Sequence, residues 1–299
     1  MLRRERESKK AFVLIMVLWI LGGLSVWLLT LSSEVSLDLE TISYLKKRVR
    51  AEFLARGAIR RLVLKLIVGE ELGKGKEEKI IKGAYLGKWI VYPKRRWHLE
   101  QVRGTRKPET SEYVLCDLES EDSKLPLNKV TDKMLRKIDI LNPIVIERII
   151  SWRKTHKDQG GFTSVNDLLL VEGITPKMFF GDKRHPGLKD LFTTYTFGKI
   201  YINKVSKEVI EVIPGVDPDL AREIHGTVSS GKYFRRVEDL RHVLGVTPPI
   251  YKSLKNWVTV VPAFYRVKAK AYVDGVTAQA EAVVCVRGTN IKFLFFSGG

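Results

Sequence analysis

Residues 11–33 read AFVLIMVLWILGGLSVWLLTLSS, a run without a single charged side chain. At 1.5 Å per residue, about 20 apolar residues span the roughly 30 Å hydrocarbon core of a bilayer. The run is apolar around its whole circumference, whereas a helix resting on a soluble core is apolar along one stripe. A secretory signal carries an apolar region of about 7–15 residues with a small-x-small cleavage site behind it. This run is longer, and Ser32-Ser33 leads into more helical pattern. The stretch predicts a transmembrane helix over 12–31. Arg3, Arg4, Arg6, Lys9 and Lys10 precede it, Glu34, Asp38 and Glu40 follow it, and the next basic residue is Lys46. The positive-inside rule then keeps the basic leader, 1–11, in the cytoplasm and the rest of the chain on the far side.

Working outward, Ile42, Leu45, Val49 and Phe53 recur at helical spacing, and Ile59, Leu62 and Leu66 continue it. No proline occurs between Met1 and Tyr92. One helix is expected over 12–67, about 55 residues, its first half in lipid and its second half laying an apolar stripe on a soluble domain. Lys46, Lys47, Arg48 and Arg50 read as a solvated face of that helix. Gly73-Lys74-Gly75-Lys76 lacks the phosphate-binding loop pattern and reads as a solvated turn.

The 299 residues carry a net charge of +18, which invites a nucleic-acid reading. The excess is local, however: it is concentrated in residues 46–107, while 108–127 are acidic. With 44% hydrophobic and 29% charged residues the chain can bury a core. The two cysteines, Cys116 and Cys285, exclude a disulfide framework or a cysteine zinc site.

Two segments repeat at offsets of about 75 and then 72 residues. Asn128-Lys129-Val130-Thr131 matches Asn203-Lys204-Val205-Ser206, and FTSVNDLLLVEGITPKMF (162–179) matches FRRVEDLRHVLGVTPPIY (234–251). Thr131 and Ser206 are expected N-caps. Thr175-Pro176, Asp217-Pro218 and Thr247-Pro248 are cap-plus-proline helix starts, with Gly173, Gly215 and Gly245 in the turns before them. The stretch IPGVDPDLAREI (213–224) has the look of a helix-hairpin-helix element. Such hairpins bind DNA when backbone N–H groups approach a phosphate at a helix N-terminus. Here Asp217 stands where a second glycine is usual, and its carboxylate caps the helix and repels phosphate. Nucleic acid is therefore not an expected partner.

Ala84–Tyr92, Trp97–Arg103 and Glu112–Leu118 read as strands, as do Phe264–Val273, Thr277–Arg287 and Lys292–Phe296, with Asp274-Gly275 as a hairpin signal. Strands thus lie on both sides of the helical repeats. The expected class is α+β: a helix on an antiparallel sheet, divided into β region 68–124, an inserted all-α domain 125–258 with repeats 125–197 and 198–258, and β region 259–299. Cys116 and Cys285 would both lie on strands of that sheet, where a bridge and a pair of free thiols are equally compatible.

These pieces resemble the K-type minor pseudopilin of type II secretion, general secretion pathway protein K, over nearly the whole chain. KAFVLIMVLWILGGLSVWLL looks like its processed N-terminus and EFLARGAIRRL (52–62) like the continuation of its long helix. DLESEDSKLPLN (117–128) is similar to its acidic stretch, and SVNDLLLVEGITPKMFFG (164–181) and GKIYINKVSKEVIEVIPGVDPDLAREI (198–224) are the most specific parts. The resemblance implies a pilin-like fold whose inserted domain holds two helix-hairpin-helix-like (SAM-like) repeats. It implies a place at the pseudopilus tip beside the I- and J-type minor pseudopilins and the major pseudopilin. It also implies cleavage by the prepilin peptidase between Ala11 and Phe12, with N-methylation of Phe12; the family usually has glycine where this chain has Ala11. Pilin-like subunits typically carry glutamate at the fifth mature residue, which here is Met16, and K-type members share that absence. A carboxylate in lipid is costly unless paired, and a subunit with nothing above it has no partner to offer.

No catalytic constellation accompanies these features. His98, His156, His185, His225 and His242 are scattered, and no nucleophile elbow, Walker or zincin motif occurs. Asp117, Glu119, Glu121 and Asp122 offer oxygen ligands for Ca²⁺ without EF-hand spacing, the other reading being a solvated acidic loop; no other cofactor is expected. The expectation is a non-enzymatic, single-pass inner-membrane protein with a periplasmic globular part that starts or caps a secretion pseudopilus. Alternatives are a membrane-tethered DNA-binding protein of a DNA-uptake system and a minor pilin of another filament.

Overall fold

The computed structural model describes residues 2–72, 87–92, 98–101, 111–182 and 185–298. The first element, α1, runs Leu2–Leu72 over 71 residues. It therefore extends past both expected ends, because the leader's Arg, Glu and Lys residues are good helix formers and nothing there breaks the pattern. Among the described residues it is the one helix long and apolar enough to cross a membrane, with a window of mean hydropathy 1.8. Its hydroxyls bond back to their own helix, Ser25 Oγ donating to Leu21 O at 2.8 Å and Thr30 Oγ1 to Trp27 O at 2.8 Å. Such back-bonding is how a polar side chain is tolerated in lipid. The Gly73–Lys76 turn lies outside the described residues.

Past its apolar span α1 has two faces. Ala51, Ala55, Ala58, Ile59, Leu62, Val63 and Leu66 are buried against the sheet. The expected stripe at Ile42, Leu45, Val49 and Phe53 is not: Ile42 is 60% and Phe53 72% exposed. The reason is geometric. At 100° per residue Phe53 lies nearly opposite Ala51 and Ala55, and the small alanines, which a search for large apolar residues passes over, are what lets the helix lie close to the sheet.

Along the chain follow β1 (Gly87–Tyr92), β2 (His98–Gln101) and β3 (Glu112–Ser120), then β4 (Leu125–Pro126), α2 (Asp132–Leu135), α3 (Pro143–Thr155), α4 (Pro176–Phe180), α5 (Leu188–Leu191) and β5 (Phe192–Thr193). Next come β6 (Ile200–Tyr201), α6 (Lys207–Val212), α7 (Pro218–Ser229), α8 (Pro248–Trp257) and β7 (Val258–Thr259), and last β8 (Phe264–Val273), β9 (Val276–Arg287) and β10 (Asn290–Gly298). Six strands form one antiparallel sheet in the order β10-β9-β8-β3-β1-β2. Asp274 and Gly275 join β8 to β9 with φ of 44° and 86°, the left-handed pair that a two-residue hairpin demands. The helix-facing positions of β8 and β9 include Ala269, Ala271, Ala278, Ala280 and Ala282, so small residues meet small residues under α1.

Residues between β3 and β8 hold a separate apolar cluster that runs from Leu125 to Val258. Two features the sequence did not announce frame it. Strands β4 and β5 pair in parallel, Leu125 with Phe192, and β6 pairs in parallel with β7, Ile200 with Val258, so each repeat is tied shut at its ends. The second feature is a fourth turn of the kind expected at Gly173, Gly215 and Gly245. The N–H groups of Leu141, Ile174, Val216 and Val246 each donate to the carbonyl three residues back, and each turn leads into a residue-proline helix start: Asn142-Pro143, Thr175-Pro176, Asp217-Pro218 and Thr247-Pro248. Asn142-Pro143 escaped notice because Ile140 stands where the other turns have Gly173, Gly215 and Gly245 with φ of 94°, 85° and 89°.

The repeated residues have visible work. Asn128 accepts the Phe162 N–H at 2.9 Å and donates to its carbonyl at 2.8 Å; Asn203 holds Phe234 in the same way at 2.9 and 2.9 Å. Asp167 accepts the N–H groups of Thr163 and Ser164, as Asp239 does those of Arg235 and Arg236. Leu168 and Leu240 are fully buried. Of the expected caps, Thr131 receives the Met134 N–H at 3.4 Å, while Ser206 occupies its N-cap position without a side-chain bond.

Candidate functional site: the junction and the long helix

The chain leaves the sheet after β3 through a single 3-10 turn, Glu121–Ser123, and that turn carries two of the buried polar residues, Glu121 and Asp122. Glu121 and Asp122 are 1% and 3% exposed. Glu121 receives the Arg266 guanidinium, the Thr193 hydroxyl at 2.6 Å and the Lys124 ammonium at 3.6 Å. Arg266 also reaches Glu281, so one β8 arginine links the junction to β9. Asp122 accepts the N–H groups of Ala263 and Phe264 at 2.7 and 2.8 Å, which fixes where the chain re-enters the sheet.

The two carboxylates sit in opposite electrostatic regimes. Burial alone would raise the Glu121 pKa, but Lys124, Arg266 and Thr193 outweigh it and hold the carboxyl below its usual range. For Asp122 burial wins over the backbone N–H groups of Phe264 and Ala263, and its pKa rises to about 6. Between about pH 4 and 6 the folded protein therefore holds a proton that the unfolded chain releases, and the Asp122 contribution to stability grows as pH falls through that window. Asp122→Asn is expected to flatten this part of the profile, read by urea unfolding at pH 7, 5.5 and 4.5. An unchanged slope would refute the assignment.

The four carboxylates considered for Ca²⁺ are not brought together. Asp117 and Glu119 lie on the outer face of β3, Glu119 paired with Lys268 at 3.2 Å, whereas Glu121 and Asp122 point into the junction. Among the described residues no group of three or more His, Cys, Asp or Glu is arranged to hold a metal. A cleft of about 440 Å³ beside the junction is lined by both signs of charge, including Asp117, Glu119, Asp190, Lys124, Lys204 and Lys268.

The cysteines are likewise apart. Cys116 faces Ala269 and Cys285 faces Phe264, on opposite sides of β8. Two strand spacings separate them by about 10 Å, the shift from Ala269 to Phe264 adds about 17 Å along the strand, and the odd offset puts them on opposite faces. A bridge needs Cα atoms within about 7 Å, so both are free thiols. Intact mass without reductant is expected to show two thiols. Cys285, half-buried, should react with maleimide first; Cys116, its pKa pushed up to about 12 by burial, should react only on unfolding. A protein lighter by two hydrogens would contradict the geometry.

Of the positions expected to be processed, Ala11 and Phe12 lie within α1; Met16 is 56% exposed on it. Around the Ile213–Asp217 turn, polar groups are already engaged. The Asp217 carboxylate takes the Leu220 N–H at 2.8 Å, and Lys137 Nζ donates to the carbonyls of Glu211, Ile213 and Val216 at 2.8, 3.1 and 2.8 Å. Lys137 thereby ties the first repeat to the second, a contact that no local sequence signal announces.

No family model matches the chain, and no curated protein matches it. Among solved structures, a chain of the GspK-GspI-GspJ complex from the enterotoxigenic Escherichia coli type 2 secretion system matches with a TM-score of 0.50 at 12% identity. The match covers 82% of this chain and 98% of that one. The likeness shows a shared fold; in this chain it is a long N-terminal helix on an antiparallel sheet, an α+β, pilin-like arrangement.

Proposed function

We propose that this protein is a minor pseudopilin at the tip of a type II secretion pseudopilus, where it initiates or caps filament assembly for export of folded proteins across the outer membrane. The carrying observation is the two-faced α1. The helix continues from its apolar span into the soluble part, buries Ala51 to Leu66 on its own sheet, and leaves Ile42, Leu45, Val49 and Phe53 facing outward. An exposed apolar stripe on a membrane-anchored helix suits packing against other helices of the same kind. The shared fold with a chain from a minor-pseudopilin complex supports the same reading.

On this reading the partners are I- and J-type minor pseudopilins and the major pseudopilin, and the protein works by binding and not by catalysis. The N-terminus is cytoplasmic, α1 crosses the inner membrane and the sheet with its helical segment is periplasmic. Prepilin peptidase cuts between Ala11 and Phe12 and leaves N-methylated Phe12. Met16, at the fifth mature position, brings no carboxylate into the membrane and so seeks no amine above it, in keeping with a terminal place.

The test is co-purification of the full-length chain with I- and J-type pseudopilins from detergent-solubilised membranes. Val49→Glu with Phe53→Glu is expected to reduce recovery of the complex at least tenfold, because two carboxylates would be desolvated without partners. The mass of the mature N-terminus in the same sample reads the processing step. Equal recovery with parent and variant would sink the assignment of the stripe.

A further inference from the structure

Strand β10, Asn290–Gly298, is the outer strand of the six-stranded sheet; one of its edges pairs with β9 and the other faces no strand among the described residues. An open edge presents unpaired N–H and C=O groups, and folded proteins blunt such edges with proline, charge or short length. Here the strand has 9 residues, no proline and one lysine, Lys292. Phe293, Leu294, Phe295 and Phe296 are 42%, 36%, 39% and 37% exposed.

The exposure follows from the fold. The core beneath α1 takes in β8 and β9 and reaches β10 only through Ile291, partly buried against it. A bulge between Phe293 and Phe295 leaves Leu294 without a partner on β9. It turns Phe293 and Phe296 toward the helix side and Phe295 to the other. A strand laid along this edge would meet an aromatic ring on each of its faces.

The charge around the edge selects the occupant. Arg56 donates to the Gly298 carbonyl at 2.6 Å at one end, Arg287, in register with Asn290, lies over the Phe197 ring at the other, and Lys292 lies between. A second copy pairing edge to edge would bring its own Arg56, Arg287 and Lys292 to the same rim, setting like charge against like.

We propose that β10 is a strand-addition site for an extended segment of another protein, apolar at its centre and carboxylate-bearing at its ends. Main-chain hydrogen bonds would supply affinity and the aromatic rings and basic rim would supply selectivity. The proposal stands independently of the secretion reading, since it rests on the sheet edge alone.

The test uses the full-length protein in detergent micelles and a fluorescent peptide alternating valine and threonine, with two glutamates at each end. Anisotropy is expected to show saturable binding at low salt, at least tenfold weaker for the same peptide ended in lysines, and weakening as salt rises. Leu294→Pro and, separately, Phe295→Lys should each abolish it, with circular dichroism and thermal melting identifying the variant that keeps the parent's fold. The proposal is overturned by no binding of the acidic peptide, by equal binding of the acidic and lysine peptides, or by binding that survives in the folded variant. It is equally overturned by a self-associated protein that those substitutions convert to monomer, which would make a second copy the occupant.

Discussion

Arg266→Ala is expected to destabilise the protein by about 3–5 kcal/mol, the range for removing one partner of a buried ion pair. The side chain is 20% exposed and Glu121 opposite it 2% exposed, so the carboxylate cannot recover its hydration when the guanidinium goes. Lys124 and the Thr193 hydroxyl remain, which places the loss nearer the lower end. Arg266→Lys should fall between parent and alanine, since an ammonium keeps the charge and loses the fork that reaches Glu121 and Glu281 together. Arg266→Met combined with Glu121→Met should recover much of the loss, because the pair is then replaced and not broken. Urea unfolding at neutral pH checks all three. An alanine variant within about 0.5 kcal/mol of the parent would show that the pair contributes nothing.

Asn203→Ala is expected to cost about 2–4 kcal/mol, because it strands both the buried N–H and the carbonyl of Phe234. Asn203 is fully buried. Its counterpart Asn128 makes the same two bonds but is exposed, so water can replace it and Asn128→Ala should cost markedly less. Asn203→Asp keeps the acceptor for the Phe234 N–H and loses the donor to its carbonyl, while burying a carboxyl. The same unfolding measurement checks the series, and equal losses at the two asparagines would refute the burial argument. Because the clamps hold the two repeats separately, hydrogen exchange should rise first in residues 198–258 of the Asn203 variant.

Much of the architecture can be read from residues alone, for reasons that differ by element. The long helix follows from an uncharged run and the absence of proline, and the strands follow from β-branched and aromatic runs closed by Asp274-Gly275. Strand ends drifted by a few residues, as at Ser120 and Asn290, because pairing and not composition decides where a ladder stops. The buried face of α1 was read wrongly over Ile42–Phe53. Periodicity identifies an apolar stripe but not what covers it, and alanine is too small to register as a core residue. The two-residue parallel pairs are too short to carry any period. The acidic run looked like a solvated loop or an ion site, since nothing local to residues 117–122 reveals that Arg266, Ala263 and Phe264 come back across the fold to meet it. Distant partners of this kind become visible only once the chain has closed.

The departure and return of the helical segment fall on touching strands: Ser120 sits directly opposite Tyr265. To the platform beneath, everything in between is one outsized hairpin loop. Closing such a loop costs only about 0.6 kcal/mol more for each doubling of its length, so the register of the platform is indifferent to the size of its cargo. Away from Thr193 and Tyr201, which touch the platform, the bundle can thus be trimmed or enlarged like a cartridge, and variation among kindred proteins should gather there while the helix-bearing platform stays constant.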